Sequence, residues 1–232
     1  MKLNVAIANY GTSQLEQLTE VLREFASYRE HQADVTVYST VPVEARHKLF
    51  EPSIENGLPF ACRKEMAECI ETYDLFLYVE NDMLITEANI DAFLEHQAAL
   101  PSHQISGFFR YELNGGAKIL LDLNPFWGKL VVQEYEHNFT VVNQHQGCWL
   151  LTRAQLQQCV ASGQFLVDPH TGPYGMLEQG ASDPYTTCGL EKVLPKDLNL
   201  LERLQIRHLP LKYTVRDEWK THGLTYDKLP YS

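Results

Sequence analysis

The segment from Leu3 to Thr40 constrains the architecture more than any other. LNVAIAN (3–9) is a nearly unbroken apolar run of strand length, and YGTS after it supplies a glycine turn followed by hydroxyl groups suited to capping a helix. Leu15, Leu18, Leu22 and Phe25 then recur at spacings of three and four, which places them on one face of an amphipathic helix over 13–29. ADVTVYST (33–40) is rich in β-branched residues and predicts a second strand. A helical crossover between two such strands makes them parallel, and such crossovers are almost always right-handed.

The α/β pattern continues to about residue 100. Pro42, Pro52, Gly57 and Pro59 mark an irregular loop over 42–60, residues 61–72 read as helix, and DLFLYV (74–79) reads as a buried strand. A further helix is expected over 86–100, capped by Thr86 with Glu87 in its first turn. After Pro101 the character changes to short β-rich runs, ISGFFRYEL, AKILLDL, KLVVQEY and NFTVVN, divided by NGG and NPFWG turns, which predict antiparallel or mixed additions to the sheet. TRAQLQQCVAS (152–162) reads as a helix ending at Gly163, 163–187 as a long loop, and DLNLLERLQIRHLPLKY as the closing segment. The expectation is one domain over 1–232, with a nucleotide-binding half (1–100), an acceptor-side half (101–215) and a C-terminal extension (216–232).

Composition narrows the partners. The net charge of −11, with no local Lys/Arg cluster to offset it, disfavours nucleic acid. An anionic ligand would need a bridging cation or a few well-placed basic groups. The five cysteines (Cys62, Cys69, Cys148, Cys159 and Cys188) are widely separated without CxxC spacing, which reads as reduced core residues. No apolar run approaches the roughly 18 residues of a membrane span, and the short N-terminal run reads as a strand rather than a leader, so a soluble, cytoplasmic protein is expected.

The chemistry concentrates in YDLFLYVENDMLIT (73–86), where an apolar strand stops abruptly on Glu80, Asn81 and Asp82. In open α/β sheets ligands bind beyond the carboxyl ends of strands, and residues two apart in an extended segment point to the same side. Glu80 and Asp82 can therefore converge on one ligand, and their mutual repulsion would be relieved by a divalent cation such as Mg²⁺ or Mn²⁺. The plainer alternative is a polar strand exit with Asp82 capping a turn.

This stretch resembles the strand and acidic motif of glycosyltransferases with the GT-A fold, and NVAIANYGTSQLEQL resembles their first strand and helix; the likeness covers most of 1–210. It departs from the commoner Asp-x-Asp in carrying Glu80 first. The resemblance implies a Rossmann-like α/β domain with a mixed, mostly parallel central sheet flanked by helices. It further implies a metal-dependent transfer of sugar from a nucleoside-diphosphate sugar, UDP- or GDP-linked, to a hydroxyl acceptor such as a glycan. Asn9, Tyr10 and Gly11 would face the nucleoside, and Tyr10 would stack on the base or simply serve the turn. Arg63 in PFACRKEM would reach the diphosphate or be a solvated helix charge, with Arg46 and His47 as weaker candidates. Asp82, Glu80 and, from the end of the fold, His208 would hold Mn²⁺ or Mg²⁺, Glu80 and Asn81 also lying within reach of the donor.

On the acceptor side, NQHQGCWLLT (143–152) resembles the segment lining the acceptor and donor-sugar site, with Gly147 allowing close approach and Trp149 offering a ring face or filling the core. An inverting transfer needs a carboxylate base for the acceptor hydroxyl. Glu178 and Asp183 are the candidates; Glu191, expected within a helix, is a poorer third. The rival readings are a sugar nucleotidyltransferase, disfavoured because ANYGTSQLEQ lacks Lys and Arg, and a non-catalytic carbohydrate- or nucleotide-binding domain on the same fold.

Overall fold

The computed structural model describes residues 1–122, 131–141 and 145–216. The NPFWG turn, parts of the KLVVQEY and NQHQGCWLLT segments and residues 217–232 lie outside the described residues. The chain forms two compact units, one made of Met1–Met83 and Gly147–Glu191, the other of Leu84–Gln146 and the chain from Lys192 onward. These units do not coincide with the halves 1–100 and 101–215, because the strand that follows Gly147 returns to the first sheet.

The protein is mixed α/β, and its first unit carries a largely parallel five-stranded sheet. Strand β1 (Lys2–Asn9) leads through helix α1 (Leu15–Ala26) to β2 (Gln32–Ser39), and the two strands pair in parallel from Lys2↔Gln32 to Asn9↔Ser39. Helix α1 buries Leu18, Val21 and Phe25, while Leu15 and Leu22 lie half-buried at the margins of that stripe. The 42–60 region is more ordered than its prolines suggest. It contains β3 (His47–Leu49), a parallel edge strand beside β2, and a 3-10 segment, Pro52–Phe60, which Pro52 can open because its missing N–H is not needed there.

After α2 (Arg63–Glu68), strand β4 (Leu75–Glu80) enters beside β1 in parallel, from Leu3↔Leu75 to Ala8↔Glu80. Leu75 to Val79 are all buried, the continuous apolar pattern expected of a strand covered on both faces. The Cys148–Thr152 strand closes the other side of β4 in antiparallel register, giving the order Cys148–Thr152, β4, β1, β2, β3. Thr152 and Gln155 form a capping box that starts the following helix, Arg153–Ala161, which packs on β4. The 163–187 loop contains two short helices, Met176–Gly180 and Asp183–Thr186, the second opened by Asp183 with Pro184 in its first turn.

The second unit is built on two small sheets. Phe109–Asn114 pairs in parallel with Gln205–His208 and in antiparallel with Ala117–Leu120, across a two-residue turn whose Gly115 and Gly116 both have positive φ (59° and 84°). The other sheet orders Gln104–Ser106, Glu191–Pro195, Asn138–Val141 and Val131–Glu134. Glu191 therefore opens a strand, correcting the helical expectation, since Gly189 (φ 84°) breaks the preceding helical region and EKVLP suits an extended chain. Phe109, Leu120, Phe139, Val141, Leu194 and Leu201 form this unit's core cluster. Helix α3 (Glu87–Ala98) is started by a Thr86–Asn89 capping box, and Asn89 Nδ2 also donates to the Arg203 and Gln205 carbonyls (2.6 and 3.1 Å). No helix among the described residues is long and apolar enough to cross a membrane.

His96 on α3 is buried, its Nε2–H donating to Asn138 Oδ1 (2.9 Å) and its Nδ1 accepting from the Ser106 hydroxyl (2.8 Å). Burial holds its pKa below 6.5, against a smaller opposing pull from Asn138. Because the folded imidazole takes a proton less readily than the unfolded one, its contribution is fully present above about pH 6.5 and is lost as pH falls below that value. Thermal denaturation at about pH 7.5 and 5.5 should show a larger fall in Tm for the native chain than for His96→Gln.

Candidate functional site

At the carboxyl edge of the first unit's sheet, three adjacent parallel strands end on polar residues. Asn9, fully buried at the end of β1, is their hub. Its Nδ2 donates to Ser39 Oγ at the end of β2 (2.8 Å) and to the Gly11 carbonyl (3.2 Å), and its Oδ1 accepts from Asn81 Nδ2 (2.6 Å). Asn81, itself buried, also donates its backbone N–H to the Ala8 carbonyl (3.0 Å). The side chains of Asn9 and Asn81 thus bind one another and fix the chain where β4 leaves the sheet. Gly11 adopts φ 62°, a conformation favouring glycine, and its N–H donates to Thr40 Oγ1 (2.9 Å), tying the β1–α1 turn to β2.

Glu80 and Asp82 are held from different directions. The Glu80 N–H donates to the Gly147 carbonyl (2.8 Å). Gly147 has φ 66°, and a Cβ placed on it would lie 3.3 Å from Glu80 Oε2 and 3.2 Å from Met83 Cγ. The side-chain-free face of Gly147 is thus occupied by the Glu80 carboxylate and Met83. Asp82 is 6% exposed, and its Oδ2 accepts from Gln14 Nε2 at 2.6 Å. Tyr10, half-buried, lies in the field of both carboxylates; burial, with Glu80 next in importance, pushes its phenol well above the ordinary value.

Trp149 is fully buried, stacked on Tyr78 (5.8 Å, 27°), edge-on to Phe165 (5.7 Å, 70°), with Nε1–H directed at the Gly180 carbonyl (3.4 Å). It occupies the core. Arg63 is likewise internal, only 2% exposed, with its guanidinium over the Phe60 ring (4.1 Å from the centroid). It donates to the carbonyls of Phe165 and Gly180 (both 3.0 Å) and pairs with Asp183 Oδ2 at 2.7 Å. Asp183 has no exposed surface; its other oxygen accepts from Gln179 Nε2 (2.5 Å) and faces His170 Nε2 (3.4 Å). Glu178, on the short Met176–Gly180 helix, is half-buried, its Oε2 folded back so that a Cβ on Gly175 would lie 2.8 Å away. Arg46 and His47 are exposed at the start of β3.

In the second unit, His208 is buried with Nδ1–H donating to Glu112 Oε1 (2.8 Å). Glu112 also accepts from the N–H groups of Lys212 and Thr214 (3.1 and 2.9 Å) and the Thr214 hydroxyl (2.7 Å). Burial opposes ionisation of Glu112, but the His208 and Thr214 hydrogen bonds outweigh it and hold the pKa at about 2. Among the described residues, no three or more His, Cys, Asp or Glu side chains gather as a metal site.

The strand exit and the glycine mark Glu80, Asp82 and Gly147 in the sequence, whereas nothing local marks Ser39 or Gln179. Gln14 had one signal, a polar residue at the start of a helix.

No protein-family model matches the chain, and no curated protein matches it. Among solved structures, a glycosyltransferase involved in the glycosylation of the major capsid of PBCV-1 is 13% identical, covering 94% of this chain and 98% of that chain at a TM-score of 0.42. S. aureus TarS 1-349 is 13% identical over 85% of this chain and 58% of that chain, with a TM-score of 0.47. The same protein in complex with UDP-GlcNAc is 12% identical over 85% of this chain and 56% of that chain, TM-score 0.41. These are distant likenesses of backbone course, and the chain spans little more than half of the two TarS chains.

Arg63→Ala should cost about 3–5 kcal/mol in urea unfolding, because it strands a fully buried Asp183 carboxylate. Gly147→Ala should cost at least about 1–2 kcal/mol from its positive φ and should also displace the Glu80 carboxylate; the same unfolding measurement checks it.

Proposed function

We propose that the chain is a glycosyltransferase of the GT-A type, which takes a sugar from a UDP- or GDP-sugar and passes it to a hydroxyl acceptor such as a glycan. The observation that carries this reading is the pair of carboxylates, Glu80 and Asp82, held by separate elements where β4 leaves a largely parallel sheet, with Tyr10 of the adjacent strand exit beside them. That edge is where open α/β sheets bind ligands.

The donor set fits a hard divalent cation. Glu80 and Asp82 offer two carboxylates, and Mg²⁺ or Mn²⁺ is commonly bound through one or two carboxylates with water and substrate phosphates completing the shell. Bound there, such an ion would neutralise charge on the departing nucleoside diphosphate. It also answers the electrostatic problem of an anionic donor on a chain of net charge −11 whose Arg63 is engaged internally. Tyr10 would line the nucleoside side of the site, while Asn9 and Asn81 would act by fixing the strand ends.

For the acceptor, Glu178 is the better base. Asp183 is committed to Arg63 and Gln179, whereas Glu178 is half-buried on the loop that Arg63 anchors. In a single displacement, the acceptor oxygen attacks the anomeric carbon while Glu178 takes its proton, and the bond to the diphosphate oxygen breaks.

UDP or GDP should raise the Tm in an Mn²⁺-dependent manner, and Asp82→Ala, folded by circular dichroism, should lose that dependence. An Mn²⁺ response undiminished in Asp82→Ala would overturn the cation assignment. Glu178→Ala should retain donor binding and lose about 10²–10⁴-fold in transfer, measured by release of nucleoside diphosphate with acceptor present.

A further inference from the structure

Gln14 occupies the N-cap position of α1, yet its side chain makes no capping hydrogen bond. Its amide instead reaches Asp82, 68 residues away, at 2.6 Å. The backbone leading to it is pinned at two points, since Asn9 Nδ2 holds the Gly11 carbonyl and Thr40 Oγ1 holds the Gly11 N–H. The identity of the donor is informative. A Lys or Arg here would neutralise Asp82 and repel a cation, whereas a neutral amide orients the carboxylate and leaves its charge in place. Carboxylates that bind metals are commonly fixed by such a second hydrogen bond.

We propose that Gln14 is the positioning residue for Asp82, presenting its carboxylate to the cation and joining the β1–α1 turn that carries Tyr10 to the cation site. The inference rests on the donor-site reading given above. In this role Gln14 acts through Asp82. Loss of the amide leaves Asp82 charged but without the hydrogen bond that orients its Oδ2, so cation-dependent binding weakens.

The test measures UDP and GDP binding by titration calorimetry across a series of Mn²⁺ concentrations, for the native chain, Gln14→Ala, Gln14→Met and Asp82→Asn, with ligand-free Tm recorded for each. Gln14→Ala should raise the Mn²⁺ concentration for half-maximal binding roughly tenfold, while its metal-free nucleotide affinity stays at the native value. Gln14→Met, close to Gln in size, uncharged and without the donor, should shift the Mn²⁺ midpoint in the same direction, and it decides the matter if the alanine variant melts early. If both Gln14 variants keep the native Mn²⁺ midpoint while Asp82→Asn loses Mn²⁺ dependence, the role of Gln14 is overturned and the donor site stands. If the native chain binds neither nucleotide in an Mn²⁺-dependent way, both readings fall.

Discussion

The site depends first on the buried amide of Asn9. It joins the exits of β1, β2 and β4 through Ser39 and Asn81, so three strand ends that would otherwise be free to splay are fixed relative to one another. An amide buried without partners costs roughly 1–3 kcal/mol, which makes any other conformation of Asn81 unfavourable. With Asn81 committed, the residues on either side of it leave the sheet along a set path. The carboxylates of Glu80 and Asp82 inherit the stiffness of the sheet instead of the mobility of a loop.

A second constraint organises the 163–187 region. A long segment with many Gly and Pro residues has little packing of its own, and Arg63 supplies the missing centre by holding the carbonyls of Phe165 and Gly180 and the carboxylate of Asp183. Buried ion pairs often contribute little net stability, because desolvation offsets their attraction. Their geometric demands are strict, however. One guanidinium with three partners from a single loop admits few arrangements of that loop, which is what the half-buried Glu178 needs if it is to meet an acceptor.

The parts of this arrangement readable from sequence are those written locally. The β1–α1–β2 start and β4 are continuous apolar runs or helical stripes, and the break after Val79 marks the strand exit with Glu80 and Asp82. The roles of Arg63 and Asp183 were not readable. Both look like ordinary charged residues, and what decides their behaviour is a partner 120 positions away in the chain. Trp149 is a similar case, since only the placement of Tyr78 and Phe165 around it makes it core. Glu191 and the short helices at 176–180 and 183–186 escaped because Gly and Pro set local boundaries too closely spaced for periodicity to register. Gln14 is uncharged and is only one polar residue at the helix start within NVAIANYGTSQLEQL, so its hydrogen bond to Asp82 left almost no local trace.

The interleaving of the two units bears on the order in which the chain can assemble. Strand β4 leaves the ribosome long before the Cys148–Thr152 strand that covers its outer edge, because residues 84–146 are made in between. At about 5–20 residues per second, an apolar edge lacking charge from Leu75 to Val79 waits for roughly several seconds. Such an edge invites pairing with other chains. Arg63 waits longer still for Asp183, and until then its charge lies among groups that will later be buried. Nascent chains of this protein therefore pass through an interval in which the strand that ends on Glu80 has one apolar edge uncovered.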